Sequence, residues 1–247
     1  MFHVKHFFAN LLKIKKQEKT GKNIMENIFE PYFQKYEDLL ATVDKLFNQV
    51  KGEYPECIKC KTGCSDCCWA LFDLSLIEAI YIKHQFRKKI NGVALERMLT
   101  DINRTDRKIY MIKRKAQQEL TEGKNEVEIL AEMGQERVKC PLLTTDDTCL
   151  LYEYRPITCR LYGIPTDIGG ISHICGKTGF VEGEKYPTVK LGIIQNRLYE
   201  ISSELVKSLN TKYIKMAEML VPLSMALLTE YNEEYLGIKD EEKDEKK

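Results

Sequence analysis

Cysteine is the residue whose number and spacing in this sequence could do chemistry. Nine occur in 247 residues, and five of them, Cys57, Cys60, Cys64, Cys67 and Cys68, fall within one twelve-residue stretch. This first segment reads Cys57-x2-Cys60-x3-Cys64-x2-Cys67-Cys68. A second supplies Cys140, Cys149, Cys159 and Cys175, with eight, nine and fifteen residues between neighbours. Two-residue gaps let two thiolates reach one metal from a tight turn, and distant cysteines complete a site when the fold brings two loops together. Gly63 suits such a turn, because glycine accepts positive φ. A metal held this way would join two remote segments and so stabilise the fold as well as serve function. In extended chain Cys67 and Cys68 would point to opposite sides, which suggests two neighbouring sites or one multi-metal cluster.

An isolated cysteine is more often a small buried hydrophobe. That alternative suits Cys140 or Cys175 taken alone, and suits five cysteines in a polar loop poorly. All-thiolate ligation admits an iron–sulfur cluster or zinc, and soft ligands alone do not separate them. The gaps differ from the bacterial ferredoxin run, and a zinc finger would carry histidines or a longer space between its cysteine pairs. His173 is the one imidazole nearby. Gly170, Gly176, Lys177 and Thr178 miss the phosphate-loop spacing by one residue. No strand–helix–strand pattern surrounds the Cys-x2-Cys pairs, as a thioredoxin-like dithiol would need. Asp66, Asp146 and Asp147 read as turn residues.

The elements that must position these cysteines are helical. From Ile28 to Val50 apolar residues recur every three or four positions, with Pro31 placed in the first turn, and Gly52 and Pro55 end the run. Ser75 and Glu78 have capping-box spacing, so a second helix starts near residue 75 and ends at Asn91-Gly92. A third runs from about Ala94 to Leu120. On its outer side lie Arg97, Arg104, Lys108, Arg114 and Lys115, which read as a solvated face diluted by Glu96, Asp101 and Glu119, so nucleic acid is an unlikely partner. A short helix over Glu126 to Gln135 leads to the second cysteine segment, expected as irregular loops with a small hairpin across Asp167 to Gly170. Two or three helices finish the chain, broken at Pro222.

Composition is that of a globular chain large enough to bury a substantial core, 43% hydrophobic and 30% charged. Its 38 basic and 37 acidic residues give no whole-molecule attraction to nucleic acid or an anionic membrane. Residues 1–25 carry six lysines against Glu18 and lack the apolar run of a secretory signal. They read as a disordered basic extension ahead of Met25 rather than as a membrane-surface helix. Residues 239–247 read as a disordered charged tail. No run is apolar enough for a membrane span, since Tyr213 to Leu228 contains Lys215, Glu218 and Pro222. A cytoplasmic, reducing setting is expected, where clustered cysteines are metal ligands or redox groups rather than disulfides.

Cys60-x3-Cys64-x2-Cys67-Cys68, then Cys140-Pro141-Leu142, Cys149-Leu150-Leu151-Tyr152-Glu153 and Arg155-Pro156-Ile157-Thr158-Cys159-Arg160, resemble the YkgJ-type cysteine-cluster family. That family's signature domain is described as zinc- or iron-chelating and also occurs in flagellin lysine N-methylases. The resemblance spans roughly residues 57–176. It implies metal chelation by Cys60, Cys64, Cys67, Cys68, Cys140, Cys149 and Cys159, and by extension Cys57 and Cys175. Arg155 and Arg160 are expected to donate to sulfur or to loop carbonyls. No glycine-rich loop for S-adenosylmethionine accompanies the motif.

The expectation is a mainly α protein, one domain over 26–238 with its core at 57–176. Two irregular cysteine-bearing loop segments on a helical framework should converge on a metal site. An iron–sulfur cluster or zinc would serve electron transfer, metal handling or support of a protein partner. The alternatives are a metal-dependent, methylase-like enzyme acting on a protein side chain, and a structural zinc module that binds a macromolecular partner.

Overall fold

In the computed structural model the described residues run to Ile238, with side chains described from Met25 onward. Residue 1 and the tail 239–247 lie outside them, as do the side chains of residues 2–24, on which the expectation for the extension 1–25 falls. The chain is mainly helical. Helix α1 (Phe2–Glu53) turns a stripe of Phe29, Phe33, Tyr36, Leu40, Val43 and Val50 to the core. Pro31 stands inside this helix rather than in its first turn. A proline there removes one helical hydrogen bond, and the packing of Phe29 and Phe33 on either side of it offsets that loss.

Helix α2 (Leu76–Lys89) is the centre of the molecule. It begins at the expected capping box, where the Ser75 amide and hydroxyl both donate to Glu78 Oε2, at 3.1 and 3.0 Å. Leu76 to Ile82 are all buried, the carboxylate of Glu78 among them, so the first two turns of α2 are enclosed on every side. Phe33 and Tyr36 of α1 meet Tyr81 edge-on, with ring centroids 5.3 and 5.0 Å apart. Helix α3 (Gly92–Thr121) buries Ile102 and Ile109 and leaves Arg97, Arg104, Lys108, Arg114 and Lys115 exposed. Helix α4 (Glu126–Gln135) follows, capped by the Asn125 side chain.

Two features depart from the expected plan. Strand β1 (Asp73–Ser75) pairs antiparallel with β5 (Leu220–Pro222), in the register Leu74 opposite Val221, so residues 220–222 are strand rather than helix. Three-residue strands are too short to show a period of two. The second cysteine segment also contains a short helix, α5 (Ile157–Leu161). The expected hairpin is present as β2 (Thr166–Ile168) and β3 (Ile171–His173), and β4 (Val189–Lys190) runs parallel to β2 on its other side. Helix α6 (Leu191–Ser208) packs on α1 and α2, and α7 (Leu223–Leu228) packs on α2 and α3. The short α8 (Glu233–Leu236) ends in Gly237 at φ 63°. Among the described residues no helix is long and apolar enough to cross a membrane.

Candidate metal centre

The two cysteine segments are stitched together by main chain. The Cys140 amide donates to the Cys68 carbonyl at 2.7 Å and the Val138 amide to the Trp69 carbonyl at 3.0 Å. Ser65 Oγ donates to Asp147 Oδ1 at 3.1 Å, and Arg137 Nη2 to Asp66 Oδ1 at 2.7 Å. The turn 144–148 that carries Asp147, at φ 54°, fits the reading of that residue as a turn former. The element bearing Cys159 is fixed from behind. Glu78 Oε1 accepts from the Ile157 amide at 3.2 Å and from the Tyr36 hydroxyl at 3.4 Å. Buried Arg160 donates through Nη1 to Asp44 at 2.5 Å, through Nε to the Arg155 carbonyl at 2.9 Å, and through Nη2 to the Glu153 carbonyl. Arg160 thus binds loop carbonyls and α1, not sulfur.

Five cysteines, Cys67, Cys68, Cys140, Cys149 and Cys159, line one cavity of about 50 Å³. The rest of its wall is largely apolar and includes Leu71, Phe72, Ile109 and Leu142, with Arg155 alongside. The vicinal pair sits on a 3₁₀ turn, Asp66–Trp69, and not in extended chain. Successive residues there are about 120° apart, so the two side chains do not diverge to opposite sides. Cys159 and Cys68 donate to Cys67, and these hydrogen bonds pull the Cys67 thiol well below its ordinary range. Cys68 lies within hydrogen-bonding reach of Cys140, Cys149 and Cys67, and that shared demand on its proton pushes its own thiol up. Cys149 is brought down to about 7, by Cys68 first and by the Leu151 amide against the opposing effect of burial. Cys159 is pushed well up by its bond to Cys67 and by burial.

Backbone amides two residues downstream point at sulfur at two of the cavity cysteines. Leu142 N donates to Cys140 Sγ at 3.4 Å, and the Leu151 amide donates to Cys149. At Cys149 this bond favours thiolate over thiol. The Arg155 guanidinium lies 3.9 Å over the Tyr152 ring and lowers the thiols of Cys67 and Cys149 through its charge. Its Nε is buried with no hydrogen-bond partner, and it is the one side-chain atom in that condition among the described residues. A buried donor without a partner is costly unless something accepts from it.

The remaining cysteines stand elsewhere. Cys60, Cys64 and Cys175 lie outside the cavity, Cys60 exposed and the other two partly so, and Cys175 Sγ donates to Asp66 Oδ2 at 3.6 Å. Burial first, and then the neighbouring Cys64, Cys175 and Cys67, raise the Cys60 thiol to about 11. Cys57 is apart from both groups, buried at the end of α1 with its thiol donating to Glu56. Gly179 packs against its backbone. The thiols are free of disulfides. Among the described residues no group of three or more His, Cys, Asp or Glu side chains stands in an arrangement that could hold a metal ion.

No protein-family model, curated protein or solved structure matches this chain. Functional argument therefore rests on the residues themselves. The sequence missed Asp66 as a neighbour of thiols, Gly163 as the backbone against Cys60, and the second partner of Glu78 at Ile157. Each depends on a contact between remote segments, and no local signal marks it.

Proposed function

We propose that this chain is a metal-binding protein that holds an iron–sulfur cluster or zinc through Cys67, Cys68, Cys140, Cys149 and Cys159. Its role would be electron transfer, metal handling or support of a partner protein in a reducing compartment. One observation carries the reading: five thiols from two segments line a single cavity beside a buried, unpartnered Arg155 Nε. The donor chemistry suits the group, and the thiols would have to draw in to hold it. The donors are soft, the Leu142 amide points at Cys140 sulfur, the Leu151 amide favours the thiolate form of Cys149, and Arg155 supplies both compensating charge and a spare donor for sulfur. Bound there, an iron–sulfur cluster would supply one-electron redox chemistry, and zinc a tie between the two segments. The chain's own part is to fix Cys159 through Glu78 and Arg160 and to shield the thiols with an apolar wall. The order of the cysteines and the Arg155-Pro156-x2-Cys159-Arg160 element, which resemble the YkgJ-type chelating domain, point the same way.

Anaerobic purification followed by metal analysis and visible absorption tests this. Broad visible absorption with iron and sulfide in proportion identifies a cluster, and a colourless protein carrying zinc identifies the alternative. Cys149→Ser and Cys67→Ser should each lose that metal. Full retention in both variants, or a wild-type chain with neither metal, would sink the proposal.

A further inference from the structure

Away from the cysteine segments, α3 presents to solvent a row of cations that the packing of the core does not explain. Arg104, Arg107, Lys108, Arg114 and Lys115 are all exposed. Helical spacing puts Arg104, Lys108, Met111 and Lys115 on one line, and Arg107 and Arg114 flank that line together on one side. The stretch covers about 16 Å of helix. Tyr110 stands three residues after Arg107 and four before Arg114, which makes it a surface neighbour of both. Its side chain is 61% exposed and that of Met111 58%, whereas Ile102 and Ile109 on the opposite side of α3 are buried.

In the sequence, Glu96, Asp101 and Glu119 dilute this face; in the fold they stand at its two ends. Glu96 and Asp101 precede Arg104, and the Asp101–Arg104 pair, at 3.2 Å, is open to water on both sides and therefore weak. Glu119 follows Lys115 and is divided between that residue at 3.5 Å and Lys124 at 3.2 Å. Between Arg104 and Lys115 the one acid is Asp106, partly buried and accepting from Ser224 Oγ at 2.9 Å. Lys113, also partly buried, is spent on Asp73. Lys108 donates to the Arg137 carbonyl at 3.2 Å, and the segment it holds alongside carries exposed Glu136, Arg137 and Lys139, so no excess of acid enters from there. Five cations thus gather on a chain whose net charge is +1. A polyanion is the complement of such a patch, and Tyr110 narrows its kind. An exposed ring between two arginines offers a face on which an unpaired base can stack while the cations take the phosphates to either side. We propose that the outer face of α3, from Arg104 to Lys115, binds single-stranded nucleic acid. It lies across the helix from Thr105 and Ile109, which line the cysteine cavity, and does not depend on what the cysteines hold.

The test uses the full chain, purified anaerobically, with a short fluorescein-labelled oligouridine and anisotropy as the readout. Affinity should fall steadily as salt rises from about 50 to 200 mM, with log K against log salt sloping near −3, as four or five phosphate contacts on a single strand require. Arg107→Ala and Lys108→Ala together should weaken binding at least ~10-fold and flatten that slope by about 1.4. Tyr110→Ala should weaken it ~10-fold at an unchanged slope, and Tyr110→Phe should bind as the wild type does, because stacking needs the ring and not the hydroxyl. Arg97→Ala, next to Glu96 at the far end of the helix, is the control and should change little. All these positions are exposed, and circular dichroism confirms that each variant is folded. No binding at the lowest salt, as large a loss in Arg97→Ala as in the double variant, or full affinity in Tyr110→Ala would overturn the proposal. Tighter binding to a duplex of the same length, to polyglutamate or to anionic vesicles would overturn it too, and would assign the face to that partner instead.

Discussion

At Gly163 a single hydrogen atom decides whether Cys60 has room. Gly163→Ala would push a methyl group into Cys60 Sγ and toward the Phe47 ring, which lies 3.5 Å from the added carbon. Overpacking of this kind costs about 1–3 kcal/mol. Gly134 is the control, since a methyl group there meets nothing within 4 Å and the residue lies inside α4. Gly134→Ala should therefore stabilise by up to about 1 kcal/mol. Urea melts of the two variants should move in opposite directions, and equal shifts would refute the crowding argument. Neither glycine is distinguishable from the other in the sequence. What separates them is the chain that passes by, a property of the fold alone. The cysteines differ in this respect. Their number and clustering announce thiol chemistry directly, because such density in a polar loop has few other uses.

At the scale of elements, Glu78 joins three parts of the molecule. Its carboxylate caps α2 through Ser75, receives the Tyr36 hydroxyl of α1 and holds the first amide of α5. Burial pushes its carboxyl above the ordinary glutamate range despite these donors. A raised value in the folded state means that stability is fully present below the ordinary glutamate value and declines as pH rises through the folded one. Glu78→Gln should abolish that decline. It should also destabilise by about 1–3 kcal/mol, because an amide cannot accept at both positions and leaves a buried donor unpaired. Denaturant melts across acidic to neutral pH would show both effects, and an unchanged pH slope would contradict the assignment. The capping box was readable as Ser75 and Glu78 three residues apart. Its reach to Ile157 was not, because position 157 comes within range only when α1, α2 and the second cysteine segment have docked.

Across the whole molecule the helical plan follows from periodicity, and ion pairs join its distant parts. Glu230 lies between Lys83, whose side chain is 7% exposed, and Arg87. Burial raises its carboxyl, but hydrogen bonds from Lys83 and Arg87 outweigh that effect and hold it below the ordinary range. A folded carboxyl held low contributes stability above the ordinary glutamate value, near pH ~4.3, and loses it as pH falls through the folded one. Glu230→Gln should be less stable than the wild type at neutral pH and should converge with it on acidification. Parallel stability curves for the two proteins would disprove the linkage. The sequence by itself determined the mainly helical class, the limits of α2 and α4 within a residue or two, the hairpin across Gly169 and Gly170, and the two thiol-bearing segments. These are local properties, set by apolar spacing, caps and turn residues over a few positions. The tertiary structure decided that β1 pairs with β5, that the vicinal pair rides a 3₁₀ turn, and that the cysteines divide into five around a cavity and four outside it, with Cys57 buried apart. Those outcomes depend on which backbone groups meet when Trp69 and Cys68 lie against Val138 and Cys140. Pairing between segments so far apart is fixed by burial of the common core, which no short window of sequence contains.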